Sequence, residues 1–137
     1  MTNIFIDTDI ILDFLGKRKL FAKHAADIFI KAEQKQIKLY TSSNSITTAY
    51  YLLSKLTGEG IARQLIIDLL NYISIIPVSE RILQQALKSE FKDFEDAVQH
   101  YCAITNENIK FIITRNLKDF KKRQLPLIGP EQLDSKI

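Results

Sequence analysis

Seven of the 16 acidic side chains fall in three separate clusters along the 137-residue chain. Asp7 ends the apolar run Ile4-Phe5-Ile6 and is followed by Asp9 and Asp13. Asp93, Glu95 and Asp96 form the second cluster. Asp119, with Asn116 just before it, follows the run Phe111-Ile112-Ile113-Thr114. Carboxylates gathered in one place repel one another unless a cation neutralises them. An all-oxygen donor set suits a hard ion, Mg²⁺ or Mn²⁺. Such an ion activates water and stabilises the charge that builds on a phosphodiester under attack. Each acid also has a plainer structural reading. Asp9 and Asp13, taken alone, read as helix caps. Asp93 and Glu95 read as the acidic first turn that a helix dipole favours. Asp119 alone is an ordinary loop acid. Asp7 stands out as the last residue of an otherwise apolar strand, and the chemistry is carried by the set.

The elements around these acids decide whether they meet. Asn3 to Asp7 is a short β-branched run that reads as a buried strand. Ile10, Ile11, Phe14 and Leu15 recur at helical spacing directly after it. Phe21, Ala25, Ile28, Phe29 and Ala32 mark an amphipathic helix over 21–35. A second strand follows over 37–41, and Ser42 to Asn44 cap a helix over 46–56 that Gly58 and Gly60 break. An apolar helix over 61–73 leads to a short or edge strand over 75–78, because Pro77 cannot donate to a ladder. Further helices are read over 80–88 and 93–107, strands over 111–114 and 126–128, and a terminal helical turn at Pro130-Glu131. Asp93 and Asp96 share a helix face with His100, while Phe94, Ala97, Val98 and Tyr101 point to the core. Strands alternating with helices imply an α/β fold, a sandwich with a mainly parallel sheet. In such sheets the ligand crevice lies beyond the carboxyl ends of the strands, where all three acidic clusters are expected.

Composition narrows the class. Hydrophobic residues make up 46% and charged residues 26%, the balance of a globular chain of one domain spanning 1–137. One cysteine, Cys102, excludes an intramolecular disulfide. No apolar run approaches a membrane span. The start MTNIFIDTD has no basic segment before an apolar core, so a cytoplasmic protein is expected. His24, His100 and Cys102 offer no zinc spacing, and neither glycine-rich phosphate-loop pattern occurs. His24 reads as a structural histidine, His100 as a surface residue and Cys102 as core packing. Six basic residues against one acid in 110–123 suit a phosphate backbone beside the acids.

The segments Ile6-Asp7-Thr8-Asp9-Ile10-Ile11-Leu12-Asp13, Asp93-Phe94-Glu95-Asp96-Ala97 and Ile113-Thr114-Arg115-Asn116-Leu117-Lys118-Asp119-Phe120 resemble the PIN-domain nucleases. The likeness is nearest to the toxins of VapBC-type toxin–antitoxin pairs. It covers nearly the whole chain in order and spacing. It implies a three-layer α/β/α sandwich around a central, mainly parallel sheet of four to five strands. It also implies hydrolysis of RNA dependent on one or two Mg²⁺ or Mn²⁺ ions, a homodimer, and an antitoxin partner. By position, Asp7, Asp96 and Asp119 would hold the metal. Asp93 and Asn116 would join them in catalysis, and Asn116 and Asp119 compete for one family position. Ser43, Thr48 and Thr114 would support the site, and Arg115, Lys118, Lys121 and Lys122 would hold the RNA. One departure stands out. The family usually carries a glutamate in the helix after the second strand, yet no acid occurs between Glu33 and Glu59, and Thr48 stands near that place.

Two alternatives follow. One is a PIN-like nucleic-acid-binding module with weak or no catalysis, which the missing glutamate favours. The other is a phosphatase or response-regulator-like fold, which also clusters acids at strand ends. It needs a lysine at the end of a late strand, where this chain has Thr114 and Arg115.

Overall fold

The first strand of the chain lies at the centre of the sheet. In the computed structural model, which describes residues 1–117 and 123–137, Thr2–Ile6 (β1) pairs in parallel with Ile37–Ser42 (β2) on one side and Ile109–Ile113 (β4) on the other. Ile73–Ile76 (β3) adds to β2 and Leu127–Ile128 (β5) adds to β4. The order is β3-β2-β1-β4-β5, and every pairing among the described residues is parallel. A central parallel strand is covered on both faces, and the covered part of β1 is a continuous apolar run. Ile4, Phe5 and Ile6 are all 0% exposed. The period-2 alternation sends Ile4 and Ile6 into one core and Phe5 into the other.

Helices cover the two faces. Thr8–Leu15 (α1), Ala22–Glu33 (α2), Ser43–Thr57 (α3), Glu59–Leu69 (α4) and the short Leu133–Lys136 (α7) supply the first core through residues such as Ile10, Ile28, Leu53 and Ile66. Glu80–Lys88 (α5) and Phe94–Ala103 (α6) supply the second through Ile82, Ala86, Ala97, Val98 and Cys102. The sandwich therefore has the three layers expected. Helix starts are set by side-chain caps: Asp7 for α1, Ser42 for α3, Ser79 for α5 and Asp93 for α6. Gly58, at φ +89°, separates α3 from α4 in a conformation that side chains with a Cβ rarely adopt.

Several boundaries differ from the sequence reading. β3 occupies 73–76 rather than 75–78, because the ladder ends before Pro77, which has no N–H to give it. β4 begins at Ile109 and α6 ends at Ala103. Gly60 lies within the first turn of α4 instead of breaking a helix. Among the described residues, no helix is long and apolar enough to cross a membrane.

The chain leaves β1 toward β2 on one side and reaches β4 later on the other. Their carboxyl ends, at Asp7, Ser42 and Thr114, are thus neighbours at the point where the strand order reverses. That is where open parallel sheets bind ligands.

Candidate active site

Asp7 is fixed from four directions. Its backbone N–H donates to the Ile113 carbonyl at 3.0 Å, which ties it to the end of β4. As the N-cap of α1 its Oδ1 accepts from the Thr8 N–H at 2.8 Å. The same oxygen accepts from Gln99 Nε2 of α6 at 2.9 Å, and Oδ2 accepts from the Thr114 hydroxyl at 3.0 Å. Thr114 is buried, and its hydroxyl oxygen also accepts from the Asn116 N–H at 3.1 Å. The sequence therefore places Asp7 correctly at the sheet end, and adds that it caps the following helix, the role expected of Asp9.

Asp9 turns toward the same loop. Its Oδ2 accepts from the Arg115 N–H at 3.0 Å and lies 3.2 Å from the Thr114 hydroxyl, which has one hydrogen to share between Asp7 and Asp9. Burial, followed by the neighbouring charge of Asp7, pushes the Asp9 carboxyl up to about 6. Its Oδ1 is buried with no hydrogen-bond partner among the described residues.

Asp13 is 0% exposed and is no cap. Arg115 grips it through Nε at 2.6 Å and Nη2 at 3.1 Å, and Arg18 stands 3.6 Å away. The Arg115 guanidinium also lies 3.8 Å from the Phe21 ring centroid. Expected at an RNA backbone, Arg115 instead spends its charge inside the protein and anchors the segment after β4.

Asp7 and Asp9 stand in the wall of a cleft of about 570 Å³. Five carboxylates line it, from Asp7, Asp9, Asp93, Glu95 and Asp96, together with Ser45, Thr48, Gln99 and Asn116, and among the described residues none that lines it is basic. Asp96 also shares with Asp7, Gln99, Thr114, Asn116 and Arg123 a small recess beside the cleft. Asp93 caps α6, its Oδ1 accepting from the Asp96 N–H at 3.1 Å. Asp7, Asp93, Asp96, Asn116, Thr48 and Thr114 are thus brought together. Ser43 is not: its hydroxyl accepts from the Val78 N–H at 3.0 Å and holds the turn after β3. Asp119, Lys118, Lys121 and Lys122 lie outside the described residues.

Other expectations are corrected. His100 is 1% exposed and packs against Phe91 and Tyr101, with Nε2 accepting from the Gln124 N–H at 3.3 Å. Burial, with Arg123 adding to it, lowers its pKa to about 4. Phe94 is 45% exposed and lines the cleft rather than the core, and His24 is exposed. Cys102 is buried, as read. Sequence reasoning missed Gln99 and the hydroxyls of Ser42 and Ser45 behind it. A neutral glutamine inside a helix gives no sign of facing inward, although it is the one long polar residue among Ala97, Val98 and Cys102.

Among the described residues, no three His, Cys, Asp or Glu side chains close into a ligand set around a single point. The donors are nevertheless all oxygen, crowded with like charge, and joined by a carboxylate oxygen that burial leaves unpartnered. That chemistry fits a hard divalent cation better than a soft one.

The family model of the PIN domain matches residues 3–118. The chain belongs to the PIN domain family. Among relatives of this PIN domain, Ribonuclease VapC1 of Aquifex aeolicus is 29% identical over 134 residues, 94% of this chain and 91% of that protein. Among solved structures, VapBC2 of Rickettsia felis, bound to a DNA fragment from its promoter, superposes with a TM-score of 0.67 at 20% identity, covering 93% of this chain and 98% of that one. A toxin–antitoxin complex from Klebsiella pneumoniae gives 0.67 at 23% identity, covering 93% and 97%. VapC20 of Mycobacterium tuberculosis, a toxin that cleaves the sarcin–ricin loop, gives 0.61 at 17% identity, covering 80% and 86%.

Proposed function

We propose that this PIN domain is a single-domain, divalent-metal-dependent endoribonuclease, the toxin of a VapBC-type pair held in check by a separate antitoxin chain. The carrying observation is the cleft at the carboxyl ends of β1 and β4, lined by five carboxylates. The Aquifex relative, named a ribonuclease, supports hydrolysis of RNA, and the toxin–antitoxin complexes among the structural neighbours support an antitoxin partner.

In this reading Asp7 and Asp96 hold one or two Mg²⁺ or Mn²⁺ ions, with Asp119 and Asn116 alternatives for the last position. A bound ion supplies an activated water and charge stabilisation at the phosphorus. The chain does the rest. Thr114 and Gln99 keep the Asp7 carboxylate aimed, and Asp93 holds the first turn of α6 so that Asp96 faces the cleft. Asn116 stands where it can orient a water. No side-chain nucleophile is required. Lys118, Lys121 and Lys122 follow the segment that walls the cleft and carry the RNA backbone, so RNA binding weakens as salt rises. A homodimer in the cytoplasm completes the proposal.

The second reading, a binding module without catalysis, is favoured by Thr48, which lines the cleft where the resemblance implies a glutamate. One experiment separates them. Asp96→Asn keeps the fold and removes a charged ligand. A loss of about 3 kcal/mol of charge stabilisation lowers Mn²⁺-dependent RNA cleavage about 100-fold. Equal cleavage by both proteins overturns the nuclease reading, and RNA binding with no ion-dependent cleavage by either establishes the second.

A further inference from the structure

The inward oxygen of Asp7 is held by an amide, not by another charged group. Gln99 is 8% exposed and fully used. Its Nε2 donates to Asp7 Oδ1 at 2.9 Å and to Ser45 Oγ at 2.7 Å, and its Oε1 accepts from the Ser42 hydroxyl at 2.6 Å. Both donors and the acceptor of the amide therefore have partners. The reversed amide would aim Oε1 at the carboxylate, so the network itself sets the orientation. Ser45 Oγ also accepts from the Thr8 hydroxyl at 2.8 Å, which closes the ring back to the residue after Asp7.

This ring joins α6, the β2–α3 junction and the β1–α1 junction at one carboxylate. With Gln99 and Thr8 N–H on Oδ1 and Thr114 on Oδ2, the plane of the Asp7 carboxylate is locked. A ligand that cannot swing keeps its remaining lone pairs on the cleft side. A carboxylate at position 99 would add one more negative charge beside a cleft that already has five. An apolar residue would leave Asp7 Oδ1 with the Thr8 N–H alone and the Ser42 hydroxyl with only Ser45 Oγ, 3.1 Å away. An amide supplies direction without charge.

We propose that Gln99, anchored by Ser42 and Ser45, is a positioning residue that orients Asp7 toward the cation and the scissile phosphate. The inference rests on the metal-nuclease reading above. It is tested on the full chain by titrating Mn²⁺ calorimetrically and by measuring kcat and KM for RNA cleavage, with thermal melting as the check on folding. Gln99→Leu removes both donors. The expected result is Mn²⁺ affinity about 10-fold weaker and kcat lower by a similar factor, with KM for RNA within about twofold. Ser45→Ala leaves the Gln99–Asp7 bond but loosens its anchor. Should Gln99→Leu not fold, Ser45→Ala carries the test, with an expected weakening of about threefold in both Mn²⁺ affinity and kcat. Native Mn²⁺ affinity and kcat in the folded variant overturn the inference while the nuclease reading stands. An increase in KM alone also overturns it, because that marks an RNA contact. A wild-type protein that neither binds Mn²⁺ nor cleaves RNA overturns the nuclease reading and the inference with it.

Discussion

Replacing Arg115 with methionine isolates the ion pair that anchors the segment after β4. Asp13 is wholly buried, and Arg115 meets both of its oxygens, at 2.6 and 3.1 Å. Removing one partner of a buried pair leaves an uncompensated charge, at a cost of about 3–5 kcal/mol. Arg18, 3.6 Å from Asp13 and 42% exposed, still offers partial compensation, so the lower end, about 3 kcal/mol, applies. A domain of this length loses about 0.3 kcal/mol per degree near its midpoint, and the melting temperature should fall by about 10 °C. Differential scanning calorimetry on both proteins measures it. The double variant Asp13→Leu, Arg115→Met removes the stranded charge and should recover most of the loss. An Arg115→Met midpoint within about 3 °C of wild type, or a double variant no more stable than the single one, refutes the buried-charge account.

His100 has its pKa lowered from 6.5 to about 4, chiefly by burial and secondarily by Arg123. The unfolded chain therefore binds that proton more tightly. Stability contributed by neutral His100 is complete above about pH 6.5 and is lost as pH falls toward 4, by about 2–3 kcal/mol. Asp9, raised to about 6, titrates in the same window with the opposite sign, so comparison with His100→Gln isolates His100. From pH 6.5 down to 4, stability from urea unfolding should fall in wild type by that amount relative to His100→Gln, and an unchanged difference between the two proteins refutes the reading. Burial pushes the Cys102 thiol up to about 12, so at pH 8 a thiol reagent should label it only after unfolding, as read by absorbance with and without denaturant. Thr48→Glu adds a carboxylate to the cleft wall, and Mn²⁺ affinity by calorimetry should tighten about 10-fold; unchanged affinity shows that position 48 does not face the ion.

The alternation of short apolar strands with amphipathic helices made the α/β sandwich legible, because apolar runs and the period of 3.6 are properties of the sequence itself, while the three layers came from the family resemblance. Asp7 was legible because a charge that closes the apolar run Ile4-Phe5-Ile6 must lie at the sheet end. Element ends were less so. The last turns of α6 and the start of β4 depend on how Ile104 and Ile109 pack, which local spacing does not specify. The pairings inside the site were not legible. Arg115 and Asp13 are 102 residues apart, and Gln99 and Asp7 are 92 apart. Arg115 sits in a basic run and reads as surface, and a glutamine has no charge to betray its inward orientation. His100 was misread because a histidine suits a wet helix face as well as a dry one that leaves it neutral.

Because β1 sits mid-sheet, its partner β4 reaches it only after more than a hundred residues have been made, as the Thr114–Asp7 bond spans 107 positions. During synthesis the N-terminal strand emerges from the ribosome long before that neighbour exists. A nascent chain that stops short of Thr114 has the opening strand but no closed pocket. In a protein whose proposed target is RNA, this order of assembly withholds the pocket until β4 has been made.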